Sequence, residues 1–161
     1  MGYTTDFRGE FKLDRPLTDA HFDYLVKFNE TRRMNRDSEI AAQLEDPIRI
    51  AAGLPIGANG EYFVGGFGFF GQEDDASVIN HNNSAPSQPG LWCKWAPNEE
   101  GTAIIWDGAE KFYSYVEWIE YLIDHFLKPW GYKLNGKVHW RGEVWEDSGT
   151  IVITDNIVNV E

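Results

Sequence analysis

Hydrophobic residues recur at steps of three and four between positions 112 and 127. This spacing places them on one face of a helix, with Glu117, Glu120 and Asp124 on the opposite face. The pattern predicts a long amphipathic helix over residues 115–127.

Other segments alternate between apolar and polar residues, which is the period of a strand with one buried face. We predict strands over residues 3–13, 61–64, 91–95, 102–106, 132–134, 137–145, 150–154 and 157–160. Asn135-Gly136 is a typical two-residue hairpin turn, and it separates two of these segments. No repeated strand-helix-strand series is present, so the sheet is expected to be mostly antiparallel.

A second helix is predicted over residues 19 to about 34, with Thr18 as its N-cap. The chain has 161 residues, a length that one domain with a single core can accommodate. We therefore expect one α+β domain over residues 1–161. In it, the long helix of the C-terminal half and the N-terminal helix pack against a mostly antiparallel sheet.

Two neighbouring segments carry unusual composition. Residues 65–72 read GGFGFFGQ and match the dinucleotide-binding G-x-G-x-x-G pattern, but no helix is predicted directly after them, so the match is expected to be accidental. Gln72 also stands where a P-loop requires lysine. The glycines either relieve a bent strand or let backbone N–H groups face a ligand. Residues 73–89 are predicted to form a long polar loop.

The net charge of −12 argues against sequence-independent binding of nucleic acid. The charge is also uneven, because six of the seven arginines lie in the first 60 residues. No apolar run is long enough for a membrane span, and no apolar signal peptide opens the chain, so we expect a cytoplasmic protein. Cys93 is the only cysteine and is expected to be a buried, inert thiol.

The arginine-rich segment suggests a first function, a non-enzymatic binding module for a small anionic, nucleotide-like ligand. Guanidinium groups bind phosphate and carboxylate bidentately. Arg32, Arg33 and Arg36 would then hold the charged group, although cations at a helix end are equally explained by the helix dipole. One of three tryptophans would stack on a ring, and the glycine-rich loop would supply backbone donors. These further candidates are Trp92, Trp95, Trp106, Gly66 and Gln72.

A second function is a small hydrolase or transferase that uses Asp107 and His81. Asp107 follows a predicted strand, where a carboxylate with a shifted pKa can act as an acid or base. The alternative is that Asp107 is a turn residue. The histidines show no metal-binding spacing, so we expect neither a metal nor a cofactor.

A third function follows from the acidic helix face. Glu117, Glu120 and Asp124 would present carboxylates to a basic protein partner, or would only keep the protein soluble. Residues 61–161 carry 6 basic and 16 acidic residues, which supports an acidic surface in this part of the chain. The oligomeric state is not predicted.

Several short segments resemble those of a group of uncharacterised small acidic proteins of bacteria and phages. They are GYTTDF at 2–7, TRRM at 31–34, YFVGG at 62–66, QPGLWC at 88–93, GTAI at 101–104, WDG at 106–108, EKF at 110–112 and HFLKP at 125–129. The resemblance extends over nearly the full length of the chain. It implies no function and no catalytic residues.

Overall fold

The computed structural model describes residues 2–66 and 73–161, with 24% of the chain in helices and 29% in strands. Its internal contacts divide the chain into two compact units. The first unit consists of Met1–Leu17 and Lys94–Glu161, and the second of Thr18–Cys93. The α+β class is confirmed, whereas the single domain stays a prediction.

A six-stranded sheet forms the first unit, with strand order β4-β5-β1-β6-β7-β8 and every neighbouring pair antiparallel. Its strands are β1 (Asp6–Leu13), β4 (Trp95–Pro97), β5 (Ala103–Trp106), β6 (Leu134–Arg141), β7 (Ser148–Thr154) and β8 (Ile157–Val160). The prediction of a mostly antiparallel sheet is therefore confirmed.

The alternation in β1 produces two different faces of this sheet. Phe7 and Phe11 are buried, whereas Asp6, Arg8 and Glu10 are exposed. The Phe7 ring lies 5.0–5.6 Å from four other aromatic rings, an arrangement that stabilises the apolar face beyond simple burial. These rings belong to Trp95, Trp106, Phe112 and Tyr115. The opposite face is polar.

Helix α4 (Tyr115–Leu122) packs on the apolar face of the sheet. Its first residue contacts Phe7 and Trp140, and the Trp95 indole N–H donates to the Tyr115 carbonyl at 2.8 Å. The eight residues of α4 continue into a five-residue π-helical turn, Ile123–Leu127. The predicted bounds of this helix are correct, but the expectation of a long helix is wrong.

The second unit contains short helices and a two-stranded sheet. Its elements are α1 (Asp19–Glu30), β2 (Met34–Arg36), α2 (Ser38–Ala41), α3 (Pro47–Ala51), a 3-10 turn (Ala58–Gly60) and β3 (Val78–Ser84). Thr18 caps α1, because its hydroxyl accepts a hydrogen bond from the His21 N–H. Because α1 belongs to this unit, its expected packing against the sheet stays a prediction.

Several local predictions are wrong. The strand predicted over residues 91–95 is one of them, because β4 begins only at Trp95. Residues 61–64 form no strand, and α1 ends at Glu30 rather than near position 34. The predicted loop over 73–89 contains β3, which pairs with β2 but has no continuously buried face for a sequence pattern to reveal. Asn135 and Gly136 lie inside β6, where Gly136 permits close approach to the β1 backbone rather than a turn.

Candidate functional site

An open groove of about 560 Å³ lies on the polar face of the sheet in the first unit. This volume is in the range of about 300–1,000 Å³ that small-molecule sites usually have. The polar side chains of the groove come from β1, β6 and β7. They are Asp6, Arg8, His139, Arg141, Ser148 and Thr150.

Strand register brings these side chains together. Arg8 lies opposite His139, and His139 lies opposite Thr150. In the next row, Arg141 lies between Asp6 and Ser148. Because side chains alternate between the two faces of a strand, both rows project from the polar face. Arg8 and Arg141 are diagonal neighbours, at a separation of about 7–8 Å that long side chains can span.

The two arginines of the groove are exposed, and neither guanidinium group is in an ion pair or a hydrogen bond in the described part of the chain. Within residues 2–66 and 73–161, neither Arg8 nor Arg141 has a hydrogen-bond or ion-pair partner. Asp6 is opposite Arg141 in the register but is not within ion-pair distance of it. The groove therefore presents two available guanidinium groups in a chain whose net charge is −12.

His139 is oriented within the groove by its neighbour on β7. Its Nδ1 atom lies 2.7 Å from the Thr150 hydroxyl oxygen. This contact fixes the ring plane, so the second ring nitrogen and the Thr150 hydroxyl are both held on the polar face. An anion bound between Arg8 and Arg141 would have these groups within its reach.

Behind the groove, on the apolar face of the sheet, the β6–β7 end is closely packed. Gly149 lies directly against the Trp140 indole, and a Cβ atom at this position would overlap the ring. The Trp140 indole N–H donates to Asp147 Oδ1 at 3.1 Å, and the Tyr3 hydroxyl donates to Asp147 Oδ2 at 2.8 Å. Asp147 therefore ties the β6–β7 loop to both β6 and the N-terminal segment.

Tyr3 has a second contact with the same loop, because its hydroxyl oxygen accepts a hydrogen bond from the Val144 N–H at 3.0 Å. This hydrogen bond favours ionisation, but burial and the adjacent Asp147 carboxylate outweigh it and raise the pKa of Tyr3. The hydroxyl therefore remains a hydrogen-bond donor to Asp147 over the whole neutral range.

Trp145 lies at the tip of this loop. Its ring contacts Arg141, which lines the groove. The Arg141 guanidinium carbon is 4.8 Å from the centre of the Trp145 ring, which is a cation–π distance. The Trp145 side chain is nevertheless 75% exposed.

The arginines predicted to bind an anion have other partners in the second unit. Arg33 is 3% exposed and donates to the carbonyls of Glu61 and Phe63 at 2.6 and 2.9 Å. Its guanidinium also lies 4.2 Å from the Phe28 ring centre. Arg32 donates to the carbonyl of His81 at 3.1 Å. These contacts give the two side chains a role in holding the backbone together.

Arg36 lies on β2 and is also buried. It forms an ion pair with Asp75 at 2.9 Å and donates to the Ser77 hydroxyl at 2.8 Å. Burial alone would raise the pKa of Asp75, but hydrogen bonds from Ser77 and the Arg36 charge outweigh it and hold that pKa below its ordinary value.

The three candidate tryptophans belong to two different units. Trp92 is half-buried in the second unit, whereas Trp95 and Trp106 belong to the first. Trp95 is buried, and the Trp106 indole N–H donates to the Ala109 carbonyl at 3.1 Å. Gly66 borders a smaller cavity of about 210 Å³ in the second unit, and Gln72 lies outside the described residues.

The candidate catalytic pair belongs to two different units. Asp107 is exposed and accepts a hydrogen bond from the Ala109 N–H at 2.8 Å, which is the turn role that the sequence also allowed. His81 has its Nδ1 atom 3.1 Å from Asp74 Oδ1 on an exposed surface. No group of three or more residues suited to hold a metal ion occurs in the described ranges.

The three acidic residues of α4 and the π-helical turn are all exposed, as predicted. In the part of the chain that the structure describes, Glu117, Glu120 and Asp124 form no ion pair. The opposite side of the same helical segment is buried through Trp118, Ile119 and Leu122. The carboxylates therefore form a continuous acidic stripe, here called the α4 acidic face.

Sequence reasoning missed Arg8, Arg141 and Thr150, and it considered His139 only as a metal ligand. Each lies at a polar position of an alternating strand, which by itself indicates only an exposed face. The pairing of β6 with β1 on one side and with β7 on the other brings them into one groove. Opposing cationic residues on two strands are a usable signal only once that register is known.

Comparison of the chain with protein-family models, with curated proteins and with solved structures finds no match. The resemblance to small acidic proteins of bacteria and phages stays a prediction. No helix in the described ranges is long and apolar enough to cross a membrane.

Proposed function

We propose that this protein is a non-enzymatic, cytosolic module that binds a small anionic ligand in the groove of Arg8, His139 and Arg141. The observation that carries the proposal is the pair of exposed guanidinium groups that have no hydrogen-bond or ion-pair partner in the described chain. Guanidinium groups form bidentate, charge-assisted hydrogen bonds with phosphate and carboxylate.

The composition of the chain strengthens this argument. Acidic residues outnumber basic ones by 26 to 14, so an arginine on the surface has many carboxylates available as partners. The exposed Arg15 is paired with Asp14 at 3.5 Å in this way. Two unpaired arginines on adjacent strands leave a local positive potential on an otherwise acidic protein, which attracts a small anion.

The proposed function does not include the hydrolase or transferase reaction. Asp107 is engaged in a turn, and His81 pairs with Asp74. Neither residue lines the groove. The proposed site therefore holds an anion through Arg8, Arg141 and the hydroxyl groups of β7, without an assigned nucleophile or base.

Isothermal titration calorimetry with inorganic phosphate and ribose 5-phosphate tests the proposal. We expect binding by the wild-type protein, and a loss of about tenfold or more in affinity for each of Arg8→Gln and Arg141→Gln, because a charged hydrogen-bonding group is removed. Affinity should also fall as salt is added, since the groove is open to solvent.

Lys12→Gln is the matched control. Lys12 lies on β1 four positions from Arg8, has the same charge and is exposed, but does not line the groove. Its variant should bind phosphate within about twofold of the wild type, because only long-range charge is lost. Equal losses for the Lys12 and Arg8 variants, or no binding by the wild type, would reject the groove as an anion site.

A second candidate function uses the α4 acidic face, whose three carboxylates are exposed and unpaired in the described chain. A basic protein partner would complement this surface electrostatically. This candidate is independent of the groove, because none of its residues lines it.

A further inference from the structure

The exposed indole of Trp145 identifies a second binding element beside the groove. Trp145 is 75% exposed and its neighbour Val144 is 54% exposed, so two adjacent apolar side chains lie in water beside the polar groove. A tryptophan combines a large apolar ring with a polar N–H group, a combination that is enriched at binding interfaces. One side of the Trp145 ring is in contact with the Arg141 guanidinium at 4.8 Å. The rest of the ring is available to a planar group.

The loop that carries Trp145 is held in place on both sides of this residue. The Gly142 N–H donates to the Asp147 carbonyl at 2.7 Å, and the Asp147 N–H donates to the Val144 carbonyl at 2.9 Å. The Tyr3 hydroxyl contacts both Asp147 and the Val144 N–H. An aromatic side chain on a fixed loop binds with less loss of conformational freedom than one on a loose loop.

The groups within the groove favour a phosphate over a carboxylate. Two guanidinium forks and the hydroxyls of Ser148 and Thr150 offer more donors than one carboxylate can accept, and they outnumber Asp6, the one carboxylate among the lining residues. A phosphate monoester has three acceptor oxygens and a charge of about −1.5 to −2 near neutral pH, so it matches this set better.

We infer that the ligand of the groove is a free phosphorylated compound of mononucleotide size, whose planar ring stacks on Trp145 while its phosphate lies between Arg8 and Arg141. The inference rests on the proposed function, because the phosphate position is the groove itself. The new element is the planar ring of the ligand, because the two arginines account only for its phosphate. Arg141 contacts the Trp145 ring and also lines the groove, so ring and phosphate sites are adjacent.

Calorimetry with ribose 5-phosphate and adenosine 5′-monophosphate tests this inference, since the two probes share the phosphate and differ by the ring. We expect the mononucleotide to bind about tenfold more tightly, the effect of stacking one base on an aromatic side chain. In Trp145→Ala the affinity ratio of the two probes should fall to about one. Trp145→Phe should keep a ratio above one, because it retains an aromatic ring.

The readout is the ratio of the affinities for the two probes. A change that the Trp145 variants cause in Arg141 affects phosphate binding by both probes equally and therefore leaves this ratio unchanged. Trp92→Ala is the control variant, since Trp92 does not line the groove and was one of the three sequence-based candidates for stacking. It should leave the ratio unchanged. Near-ultraviolet circular dichroism checks that each variant keeps its fold.

Four results would overturn the inference. If the wild type binds both probes with equal affinity, the ring does not stack on Trp145, but the anion site still stands. If the wild type binds neither probe, the proposed function is rejected as well. A ratio that falls in Trp92→Ala but not in Trp145→Ala places the ring elsewhere. Tighter binding of a short single-stranded oligonucleotide than of the mononucleotide would replace the free ligand by a nucleic acid.

Discussion

The Tyr3 hydroxyl donates a 2.8 Å hydrogen bond to Asp147, which lies 144 positions later in the chain. The same hydroxyl accepts from the Val144 N–H, so one side chain near the N-terminus contacts two points of the β6–β7 loop. This loop carries Trp145 and follows Arg141. The N-terminal segment thereby supports the end of the sheet at which the groove lies.

Tyr3→Phe should loosen the β6–β7 loop without removing the aromatic ring. We expect the melting temperature to fall by about 2–4 °C, the effect of losing about one net hydrogen bond in a chain of this size. Ribose 5-phosphate affinity should fall slightly, because Arg141 borders the loop. Differential scanning calorimetry measures the first effect, and an unchanged melting temperature would show that the hydrogen bonds to Asp147 and Val144 do not contribute to stability.

Arg33→Met should destabilise the second unit. Methionine keeps an apolar stem against Phe28 but cannot donate to the Glu61 and Phe63 carbonyls, which are buried contacts of Arg33. Because an unsatisfied buried polar group costs about 1–3 kcal/mol, we expect the free energy of unfolding to fall by about 2 kcal/mol or more. Urea denaturation gives this value.

Arg32→Met is the matched control for Arg33. Arg32 is half-buried and makes one hydrogen bond to a backbone carbonyl, so its loss should cost less than about 1 kcal/mol. If Arg33→Met kept full stability but lost phosphate binding, the anion site would lie at the arginines that the sequence indicated, and the groove proposal would be wrong.

Sequence patterns predicted most strands of the sheet, because a strand with one buried face alternates between apolar and polar residues. The strand of residues 103–106 and the helical segment of residues 115–127 follow directly from alternation and from helical spacing. The strand prediction failed where a strand is defined by its hydrogen bonds to a neighbouring strand and has no buried face. β3 has only intermediate and exposed residues, and its hydrogen bonds with β2 are what define it.

The candidate site was less predictable than the fold. A cluster such as Arg32, Arg33 and Arg36 is visible in sequence, but burial of Arg33 and Arg36 among carbonyls and a carboxylate is not. Arg8 and Arg141 are 133 positions apart and become neighbours only through the β1–β6 register. A charged side chain indicates a binding site only when it has no ion-pair partner within the protein. Such partners are known only once the chain is folded.

Asp75 should make the stability of the protein sensitive to acid. Its pKa is lowered in the folded state by Ser77 and Arg36, so its contribution is present above the unfolded pKa of about 3.9 and is lost as the pH falls through the lower folded value. In Asp75→Asn that contribution is absent at every pH. The gap in urea midpoint between wild type and variant should therefore be constant above about pH 5 and close below about pH 4.

Glu73→Gln provides the control for this titration, because Glu73 is an exposed carboxylate two positions before Asp75. Its midpoint should follow that of the wild type at each pH. A gap between wild type and Asp75→Asn that stays constant down to about pH 3 would show that Asp75 is not stabilised by Arg36 and Ser77 in the folded protein.

The α4 acidic face yields the last prediction, which separates a binding role from a solubilising one. If Glu117, Glu120 and Asp124 bind a basic protein, the immobilised chain should capture it at low salt and release it near 0.5 M salt, where the Debye length is about 4 Å. A variant with all three residues neutralised should capture nothing.

Glu99, Glu100 and Glu110 are also exposed in the first unit, so neutralising these three instead changes the net charge equally. The two variants have the same net charge. If the partner is still captured by the control but not by the α4 variant, binding therefore depends on the arrangement of carboxylates on this helix face. Equal loss in the two variants would leave the α4 acidic face with only a solubilising role.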